Sequence, residues 1–545
     1  MKNKQSTNAW IYKRAKPFIS RVIFVSVLNI ISALLYVYLA DLSKRIIDFA
    51  DIKSNHTFAI AAAMIFAVII IHIAIDSINH ILLTDISTNM NISLKNYMFT
   101  KLMKKKYADI SEYHSGELLN RFCSDVDVVV NGSICLIPSV VSMLTKIVAG
   151  VAALCIESYM FAFAVLIIGF AFPLLGRILS KKYKYLHKEV QQTEGITRSF
   201  LQESFANIIV VKTLGGEKPF LLKLNENLQT NRKLRIKKSI FSVAISMLLY
   251  LLFSFGYYGV LVWGASQVAA GAITVGTLIY FLQLISVLRA PLQNISGVIP
   301  KYYSMVASAE RLIELENLQN EYPTEQNEII EFKTITASNL TFAYTNEIIL
   351  RNNNFTIERG SITAVTGRSG SGKSTLFKLM LGLFPATSGS LSFDGKVLID
   401  ETTRNMFSYV PQGNMLISGT IRDNISLCDK SVSDDDIIKA AETAVIYDFI
   451  KSLPNGLDTV ISERGQGISE GQIQRIAIAR ALLFNAPVIL LDEATSALDE
   501  QTETQLLNNL KTLTDKTILF ITHRNTSLNA CDKVLHLSNG TFSEK

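Results

Sequence analysis

A stretch of 50 residues, Ser239 to Leu288, contains no aspartate, glutamate, lysine, arginine or histidine. A helix crosses the hydrocarbon core of a bilayer with about 20 mostly apolar residues, so this stretch is long enough for two crossings. Lipid offers the backbone no hydrogen-bond partners, which makes helices the expected spanning structure. Gly264-Ala265-Ser266 and Gly271 interrupt the stretch. The sequence therefore predicts two transmembrane helices joined by a short hairpin.

Four further apolar segments precede this stretch. Of all residues, 18% are charged and 49% are hydrophobic, whereas an ordinary soluble domain has about 25% charged residues. This composition excludes a wholly soluble protein and predicts a polytopic α-helical membrane domain with six transmembrane helices. The predicted spans are residues 20–42, 57–83, 128–156, 159–180, 239–264 and 272–298.

Two long polar stretches between the spans carry many of the cations. Residues 84–127 contain six lysines and arginines, and residues 181–238 contain 13. The short connections are almost free of them, so the positive-inside rule places both long excursions and both termini in the cytoplasm. We therefore expect a multi-pass protein of the inner (cytoplasmic) membrane. Lys44 and Arg45, near the outer end of the first span, depart from the rule, and Trp10 with Tyr12 suggests an interfacial anchor.

Ionisable residues within the spans need a separate explanation, because burying them in lipid is costly. His72, Asp76 and His80 recur every four residues and so lie on one face of the second span. They are expected to face the protein interior or a water-filled cavity, with substrate contact, proton coupling or a metal site as alternatives. Lys146 and Arg289, in the third and sixth spans, allow the first two of these interpretations.

The C-terminal part of the chain has a different charge balance. Residues 1–333 contain 34 Lys/Arg and 23 Asp/Glu, a difference of +11, whereas residues 334–545 contain 19 and 23, a difference of −4. Because the basic excess lies in the membrane part, nucleic acid is not expected as a partner. The polar segment 316–333 is the predicted linker between a transmembrane domain, 1–315, and a soluble domain, 334–545.

The first functional motif in the soluble domain is a phosphate-binding loop. The apolar segment from Ser361 to Thr366 predicts a buried strand, and a GxxxxGK[ST] motif with a helix behind it follows at once. Backbone N–H groups, the helix N-terminus and a lysine in such a loop bind phosphates, and its Ser can hold Mg²⁺. The predicted nucleotide-binding residues here are Gly367, Arg368, Ser369, Gly370, Ser371, Gly372, Lys373, Ser374 and Thr375.

Two adjacent carboxylates end a second apolar strand in the segment APVILLDEATSALD. Asp492 is positioned to bind Mg²⁺, together with Ser374 of the loop. Glu493, one residue further on, is the predicted catalytic residue that orients and deprotonates the attacking water. Paired with the phosphate-binding loop, this motif predicts an ATPase.

The segment Ile468-Ser469-Glu470-Gly471-Gln472 opens an amphipathic helix between these two motifs. It is similar to the LSGGQ signature of the ATP-binding cassette (ABC) family, and over essentially all 545 residues the chain resembles an ABC exporter half-transporter. The resemblance implies an α/β P-loop ABC ATPase domain, ATP and Mg²⁺ as cofactors, and ATP-driven export or flipping by alternating access. The expected substrate is hydrophobic or amphipathic: a lipid, a drug or a peptide.

The resemblance also assigns roles to single residues. It implies that Tyr344 stacks on adenine, that Gln412 contacts Mg²⁺ and takes part in catalysis, and that His523 contacts the γ-phosphate. Ser496 to Asp499 resembles the D-loop, and Glu463 resembles an acid that contacts a partner's cytoplasmic loop.

Dimerisation is part of the same resemblance. In the family, the signature turn of one subunit closes the phosphate site of another, which would place Ser469, Gly471 and Gln472 on the partner's ATP. Two cytoplasmic segments, 114–121 and 202–207, resemble coupling helices that dock on the nucleotide domains. The six spans exclude a soluble ABC ATPase, and the fused layout excludes an importer.

Three arrangements remain open at this point: a homodimeric exporter, one half of a heterodimer, and a gating or regulatory subunit that binds ATP without pumping. Glu470 bears on the choice, because it replaces the first glycine of the signature and adds a carboxylate near the expected γ-phosphate. The presence of Glu493, Gln412 and His523 favours a competent site.

Overall fold

A computed structural model describes the backbone of residues 6–51, 55–321, 329–345, 347–413, 416–461, 467–524 and 528–544. Within these ranges it describes all side chains except those of residues 51, 55, 57, 159–181, 184, 249, 252, 293, 295 and 296. The chain forms two compact units. The helical unit comprises Met1–Leu102 and Ser115–Asn317, and the sheet unit comprises Met103–His114 and Leu318–Lys545.

Long helices build the helical unit, as the apolar sequence requires. In chain order the helices are α1 (Thr7–Ala15), α2 (Ile19–Asp51), α3 (Asn55–Leu102), α4 (Tyr107–Ser111, in the sheet unit), α5 (Ser115–Asn120), α6 (Val126–Glu157), α7 (Tyr159–Ala206), α8 (Ile208–Thr213), α9 (Glu217–Ala269) and α10 (Val275–Glu316). With 48 residues, α3 is about 72 Å long at 1.5 Å per residue. Since the hydrocarbon core is about 30 Å thick, such a helix extends well beyond the membrane.

Five segments of the described residues are long and apolar enough to cross a membrane, judged by length and composition: Thr7–Ala50, Phe58–Leu102, Ser115–Glu157, Glu217–Ala269 and Val275–Glu316. The fourth predicted span, residues 159–180, belongs to α7 but its side chains lie outside the described residues. Large apolar side chains such as Phe24, Phe66 and Phe255 are exposed on these helices, which is typical of a lipid-facing surface.

Ion pairs accommodate the two cations near the outer end of α2. Lys44 Nζ lies 2.5 Å from Glu157 Oε1, at the end of α6. Arg45 Nε donates to Asp41 Oδ2 at 2.8 Å, one turn earlier on α2. A single extended residue, Ser158, separates α6 from α7. The departure from the charge rule is therefore local, because each cation has a carboxylate beside it.

A polar cluster joins α2, α3 and α6. The hydroxyl of Ser32 lies 3.2 Å from His72 Nε2 and donates to Asp76 Oδ1 at 2.9 Å. The edge of Tyr36 packs on His72, with 4.4 Å between ring centroids, and Lys146 Nζ lies 4.8 Å from the Tyr36 centroid. His72 is buried, which agrees with an inward-facing group.

The other two members of that predicted stripe differ. The side chain of Asp76 is 53% exposed and His80 is also exposed, so neither shares the buried environment of His72. Arg289, on α10, lies over the rings of Tyr250 and Phe253, at 5.3 and 5.9 Å from their centroids. Cation–π contacts of this kind stabilise a guanidinium group through the aromatic rings, with no need of a carboxylate.

The expected role of Trp10 as an interfacial anchor is wrong. Its side chain is only 2% exposed and its Nε1 donates to Glu316 Oε2 at 2.5 Å, at the end of α10. Arg14 pairs with the same carboxylate at 3.2 Å. Protein contacts, rather than lipid headgroups, therefore bury this indole, whereas Tyr12 is exposed.

Three sheets form the sheet unit. The largest sheet has six strands in the order β12-β11-β3-β10-β9-β6, all parallel except β12 at one edge. A second sheet has four antiparallel strands in the order β2-β1-β4-β5, and β7 pairs with β8. Their bounds are β1 (Thr334–Tyr344), β2 (Glu347–Glu358), β3 (Ile362–Gly367), β4 (Ser388–Phe393), β5 (Val397–Leu398), β6 (Phe407–Val410), β7 (Gly419–Thr420), β8 (Val460–Ile461), β9 (Val488–Asp492), β10 (Thr517–Ile521), β11 (Lys533–Ser538) and β12 (Thr541–Glu544). All residues of β9 and β10 are buried, as expected of strands covered on both faces.

Besides α4, the sheet unit contains the helices α11 (Lys373–Met380), α12 (Ile421–Ser426), α13 (Asp434–Thr443), α14 (Tyr447–Ser452), α15 (Glu470–Leu483) and α16 (Glu500–Lys511). Two apolar cores stabilise the unit. One includes Phe377 and Phe393, and the other includes Ile476 and Phe520.

A short segment of the first long polar excursion belongs to the sheet unit. The backbone N–H of Lys106 donates to the carbonyl of Gln319 at 2.9 Å, and that of Glu321 donates to the carbonyl of Lys104 at 2.9 Å. Tyr107, at the start of α4, packs edge-on against Phe384 with 5.8 Å between ring centroids. The docked helix is therefore α4, whereas α5, within the predicted segment 114–121, belongs to the helical unit.

A buried carboxylate organises the helical extension where α6 begins. Asp125 is 2% exposed and accepts from Ser308 Oγ at 2.9 Å and from Arg311 Nε at 2.8 Å, both on α10. Because α6 and α10 are far apart in sequence, this contact holds the ends of two long helices together.

Asp125→Ala should lower the free energy of unfolding by about 1–3 kcal/mol, since it leaves Ser308 and Arg311 without their acceptor. Asp127→Ala is the matched control, because that side chain is 52% exposed and 3.7 Å from Lys95. Thermal unfolding of the detergent-purified chain measures both. Equal losses in the two variants would contradict the role given to Asp125.

Candidate functional site

The carboxyl ends of four parallel strands meet at one edge of the six-stranded sheet. Asp492 of β9 is in register with Ile521 of β10, and Ile521 with Val365 of β3. Val410 of β6 is in register with Leu491 of β9. Loops that leave this edge carry the predicted residues of the phosphate-binding loop, Gln412, Glu493 and His523. The sheet thus brings together residues that are far apart in the sequence, at the edge where α/β proteins bind ligands.

The loop between β3 and α11 depends on its glycines. Gly367 and Gly372 have φ angles of +146° and +108°, which L side chains rarely adopt. A Cβ on Gly372 would lie 2.4 Å from Ile349 Cγ2, and one on Gly367 would lie 2.5 Å from the carbonyl of Leu537. Both positions therefore exclude any side chain, and the loop turns its backbone toward the start of α11.

The side chain of Lys373, the first residue of α11, reaches back over this loop. It is 5% exposed, and its Nζ donates to the carbonyls of Gly367 and Arg368 at 2.9 and 3.0 Å. Burial lowers the pKa of the amine, while the carboxylates of Glu493 and Asp492 act in the opposite direction. The ammonium thus lies close enough to both carboxylates to interact with their charges.

Asp492 is a buried carboxylate with one oxygen left over. Tyr409 donates its hydroxyl to Oδ2 at 3.3 Å, while Oδ1 is buried and has no hydrogen-bond partner among the described residues. Burial raises the pKa of this carboxyl group, and the hydroxyls of Ser374 and Tyr409 partly offset that rise. An orphaned carboxylate oxygen beside Ser374 fits a hard divalent cation.

Glu493 has a strained backbone and a defined partner. Its φ angle is +51°, in the left-handed region, and its N–H donates to the carbonyl of Ile521 at 3.0 Å. Gln412 Nε2 donates to its carboxylate at 2.6 Å. Two of the predicted catalytic residues are thus in direct contact, at a residue whose backbone is strained.

His523 and Tyr344 lie at different places in the unit. His523 is exposed after β10, near the same sheet edge. Tyr344 ends β1 and packs edge-on against Phe342 and Phe384, with 4.7 and 5.3 Å between ring centroids. Phe384 also contacts Tyr107, so an aromatic cluster links Tyr344 to the docked helix α4.

The signature turn caps α15. Ser469 Oγ accepts from the N–H of Gln472 at 3.3 Å, and Gln472 Oε1 accepts from the N–H of Ser469 at 2.9 Å. This reciprocal capping box uses the Gln472 side chain within its own helix. A Cβ on Gly471 would lie 2.8 Å from the carbonyl of Ala497, so a glycine is needed where the turn meets the D-loop.

Glu470 is the first residue of α15 and is exposed. A carboxylate in the first turn of a helix is stabilised by the helix dipole. The exposed side chain of Glu470 is therefore compatible with its position at the surface of the sheet unit. Glu463 lies outside the described residues.

Several supporting residues were missed by the sequence analysis. Gln474 Nε2 donates to Ser496 Oγ at 3.0 Å and its Oε1 accepts from the N–H of Ala497 at 3.1 Å, which ties α15 to the D-loop. Arg524 donates to the carbonyls of Ser496 and Leu498, and pairs with buried Glu503 at 2.9 Å. In the sequence, Gln474 lies two residues after the signature segment and Arg524 directly follows His523. This proximity to predicted site residues is the signal by which they could have been found.

The residues present fit ATP with Mg²⁺. Two buried oxygens at this edge, Ser371 Oγ and Asp492 Oδ1, have no hydrogen-bond partner among the described residues. The loop offers backbone N–H groups and Lys373 for phosphates, and Ser374, Gln412 and Asp492 are the oxygen ligands that could hold the metal.

Comparison with known protein families matches both units. Residues 22–292 match the family described as ABC transporter transmembrane region, and residues 350–496 match the family described as ABC transporter. The chain is 32% identical over 469 residues to the "ATP-dependent lipid A-core flippase" of Photobacterium profundum, covering 84% of this chain and 80% of that protein. A protein of the same name from Pasteurella multocida is 29% identical over 565 residues, covering 100% and 96%.

A solved structure shares the fold. It is described as "Structure of a bacterial Atm1-family ABC exporter with ATP bound" and has a TM-score of 0.81. The match covers 97% of this chain and 95% of that chain at 23% sequence identity.

Asp492→Asn should raise the melting temperature of the nucleotide-free protein. A carboxyl group whose pKa is raised by burial destabilises the fold when ionised, and this penalty is lost as the pH falls toward the unfolded-state pKa of about 3.9. A gain of about 1 kcal/mol corresponds to about 2–4 °C for a domain of this size, larger at pH 8 than at pH 5. Asp515→Asn, at a side chain 68% exposed, is the control. A lower melting temperature at pH 8 would contradict this explanation.

Proposed function

Because this chain belongs to the ABC transporter family, we propose that its ATPase activity drives the export or flipping of an amphipathic lipid across the cytoplasmic membrane. The observation that carries the proposal is the meeting of the phosphate-binding loop, Asp492, Glu493 and Gln412 at one sheet edge, in a chain that also has long apolar helices. Residues 1–315 are proposed as the transmembrane domain, 316–333 as the linker and 334–545 as the nucleotide-binding domain.

The proposed chemistry is phosphoryl transfer from ATP to water. Lys373 and the backbone N–H groups of its loop bind the phosphates, and Glu493 orients and deprotonates the attacking water. Mg²⁺, held by Ser374, Gln412 and Asp492, would supply charge neutralisation for the phosphate oxygens. His523 is the proposed contact to the γ-phosphate, and Tyr344 to the adenine ring.

A lipid is the substrate class that the relatives favour. Two relatives named ATP-dependent lipid A-core flippase align with 84% and 100% of the chain. Large apolar side chains exposed along the helices suit a substrate that is itself dissolved in the bilayer. A lipid with polar headgroup and acyl chains is therefore preferred over a drug or a peptide.

A dimer is the proposed functional state, with nucleotide-binding domains on the cytoplasmic side. The signature turn of each chain, with Ser469 and Gly471, would close on the ATP held by its partner, where N–H groups at a helix N-terminus stabilise phosphate charge. The exposed position of Glu470 is compatible with such closure. Closure would reach the membrane helices through α4, which packs within the sheet unit through Tyr107 and Lys106.

Glu493→Gln should reduce ATP turnover by more than about 100-fold and leave ATP binding intact, because only the general base is lost. Purified chain in proteoliposomes with a fluorescent acylated glycolipid measures both ATPase rate and lipid translocation, and both should fall together. Glu500→Gln, at an exposed glutamate nearby, is the control. If the wild type binds ATP but neither hydrolyses it nor moves lipid, the chain is a gating subunit or half of a heterodimer.

Mixed dimers test whether the signature turn acts on the partner's ATP. A dimer of Lys373→Ala with Ser469→Arg chains keeps one intact site if the turn acts across the dimer, and should retain up to about half of the ATPase rate. A dimer of wild type with the Lys373→Ala/Ser469→Arg double variant should then be inactive. The reverse result would show that the turn acts within its own chain. Two affinity tags allow purification of each mixed dimer, and melting temperatures confirm that each variant folds.

A further inference from the structure

An open cavity lies between α7 and α9 in the helical unit. Its volume is about 470 Å³. The side chains that give it its chemistry come from both helices: His187, Gln191, Glu194, Arg235, Lys238 and Ser242. None of them has a part in the nucleotide site, which lies in the other unit.

The cavity lies at the membrane boundary. Lys238 is the last charged residue before the 50-residue uncharged stretch that begins at Ser239, and both residues line the cavity. A helix that continues into hydrocarbon from this point places the cavity at the depth of the lipid headgroups. Its ligand is therefore expected to come from the headgroup layer.

Cations dominate the cavity and its surroundings. Lys238 Nζ lies 3.1 Å from His187 Nδ1 and 5.5 Å from the centroid of Tyr183, so its ammonium is held between α9 and α7. Arg235, one turn earlier on α9, pairs with Glu194 on α7. The segments 181–194 and 232–238 together contain nine Lys/Arg and two acidic residues. Such a local excess attracts anions.

An apolar surface lies on the neighbouring face of α9, next to the face that lines the cavity. Ile240, Val243 and Met247 follow at helical spacing and are 66%, 52% and 61% exposed. A ligand with an anionic head and acyl chains could place its phosphate in the cavity and its chains along this surface. A free phosphate ion would use only the first of these two features.

We propose that this cavity binds the phosphate-bearing headgroup of an anionic phospholipid. Arg235 and Lys238 donate to the phosphate oxygens, since guanidinium and ammonium groups form strong charge-assisted hydrogen bonds with phosphate. Basic pockets between transmembrane helices are known to bind such headgroups. Glu194 competes with the lipid for Arg235. This lipid is a ligand separate from ATP, whose predicted site lies in the other unit.

The test is the affinity of the purified full-length chain for phosphatidylglycerol, measured by native mass spectrometry as bound lipid per chain, with phosphatidylcholine as reference lipid. Arg235→Gln/Lys238→Gln should weaken phosphatidylglycerol binding about tenfold. Arg232→Gln/Lys233→Gln removes the same charge from the same helix outside the cavity and should leave the affinity within about twofold of the wild type. Glu194→Gln should strengthen binding, because it frees Arg235.

Several outcomes would overturn the site. Equal weakening in both double variants would show only diffuse attraction to a basic surface, and equal affinity for phosphatidylcholine would show that the anionic headgroup is not recognised. Displacement of the lipid by inorganic phosphate at the same concentration would show a soluble-anion site. Because Glu194→Gln predicts a gain, a folding defect in the double variant would leave the proposal testable. Binding requires no ATP turnover, so failure here is distinguishable from failure of the proposed transport.

Discussion

Water is missing from the bilayer core, and the helical unit follows from that constraint. Backbone groups without water must be paired within the chain, so the uncharged stretches form helices. These helices are longer than the membrane is thick, as the 48 residues of α3 illustrate. Their extensions hold the cations and the buried contacts around Asp125, while the outer cations Lys44 and Arg45 each have a carboxylate beside them.

Two residues at the predicted nucleotide site destabilise the sheet unit. Asp492 is ionisable, buried and short of one hydrogen bond among the described residues, and Glu493 has a strained backbone. Both features cost free energy in the nucleotide-free state and suit a site that receives phosphate and metal. The surrounding apolar cores and the contacts of Gln474 and Arg524 offset that cost.

Local patterns predicted much of this structure. The strand before the phosphate-binding loop, expected over Ser361 to Thr366, is β3 at Ile362–Gly367, and the signature segment opens α15 as expected. The prediction for Trp10 was wrong, and α4 of the first excursion, which was not singled out, belongs to the sheet unit. Both findings concern contacts between distant segments, which a local pattern does not contain.

The sequence by itself determined the fold class, the family and the phosphate-binding chemistry, because charge-free length, strand-loop-helix order and short motifs are local properties of the chain. Only the tertiary structure decided which residues meet. It placed Gln412 on Glu493, Gln474 on the D-loop, and His187 beside Lys238. The physical reason is that these contacts depend on strand register and helix packing, which arise when distant segments bury their apolar faces together.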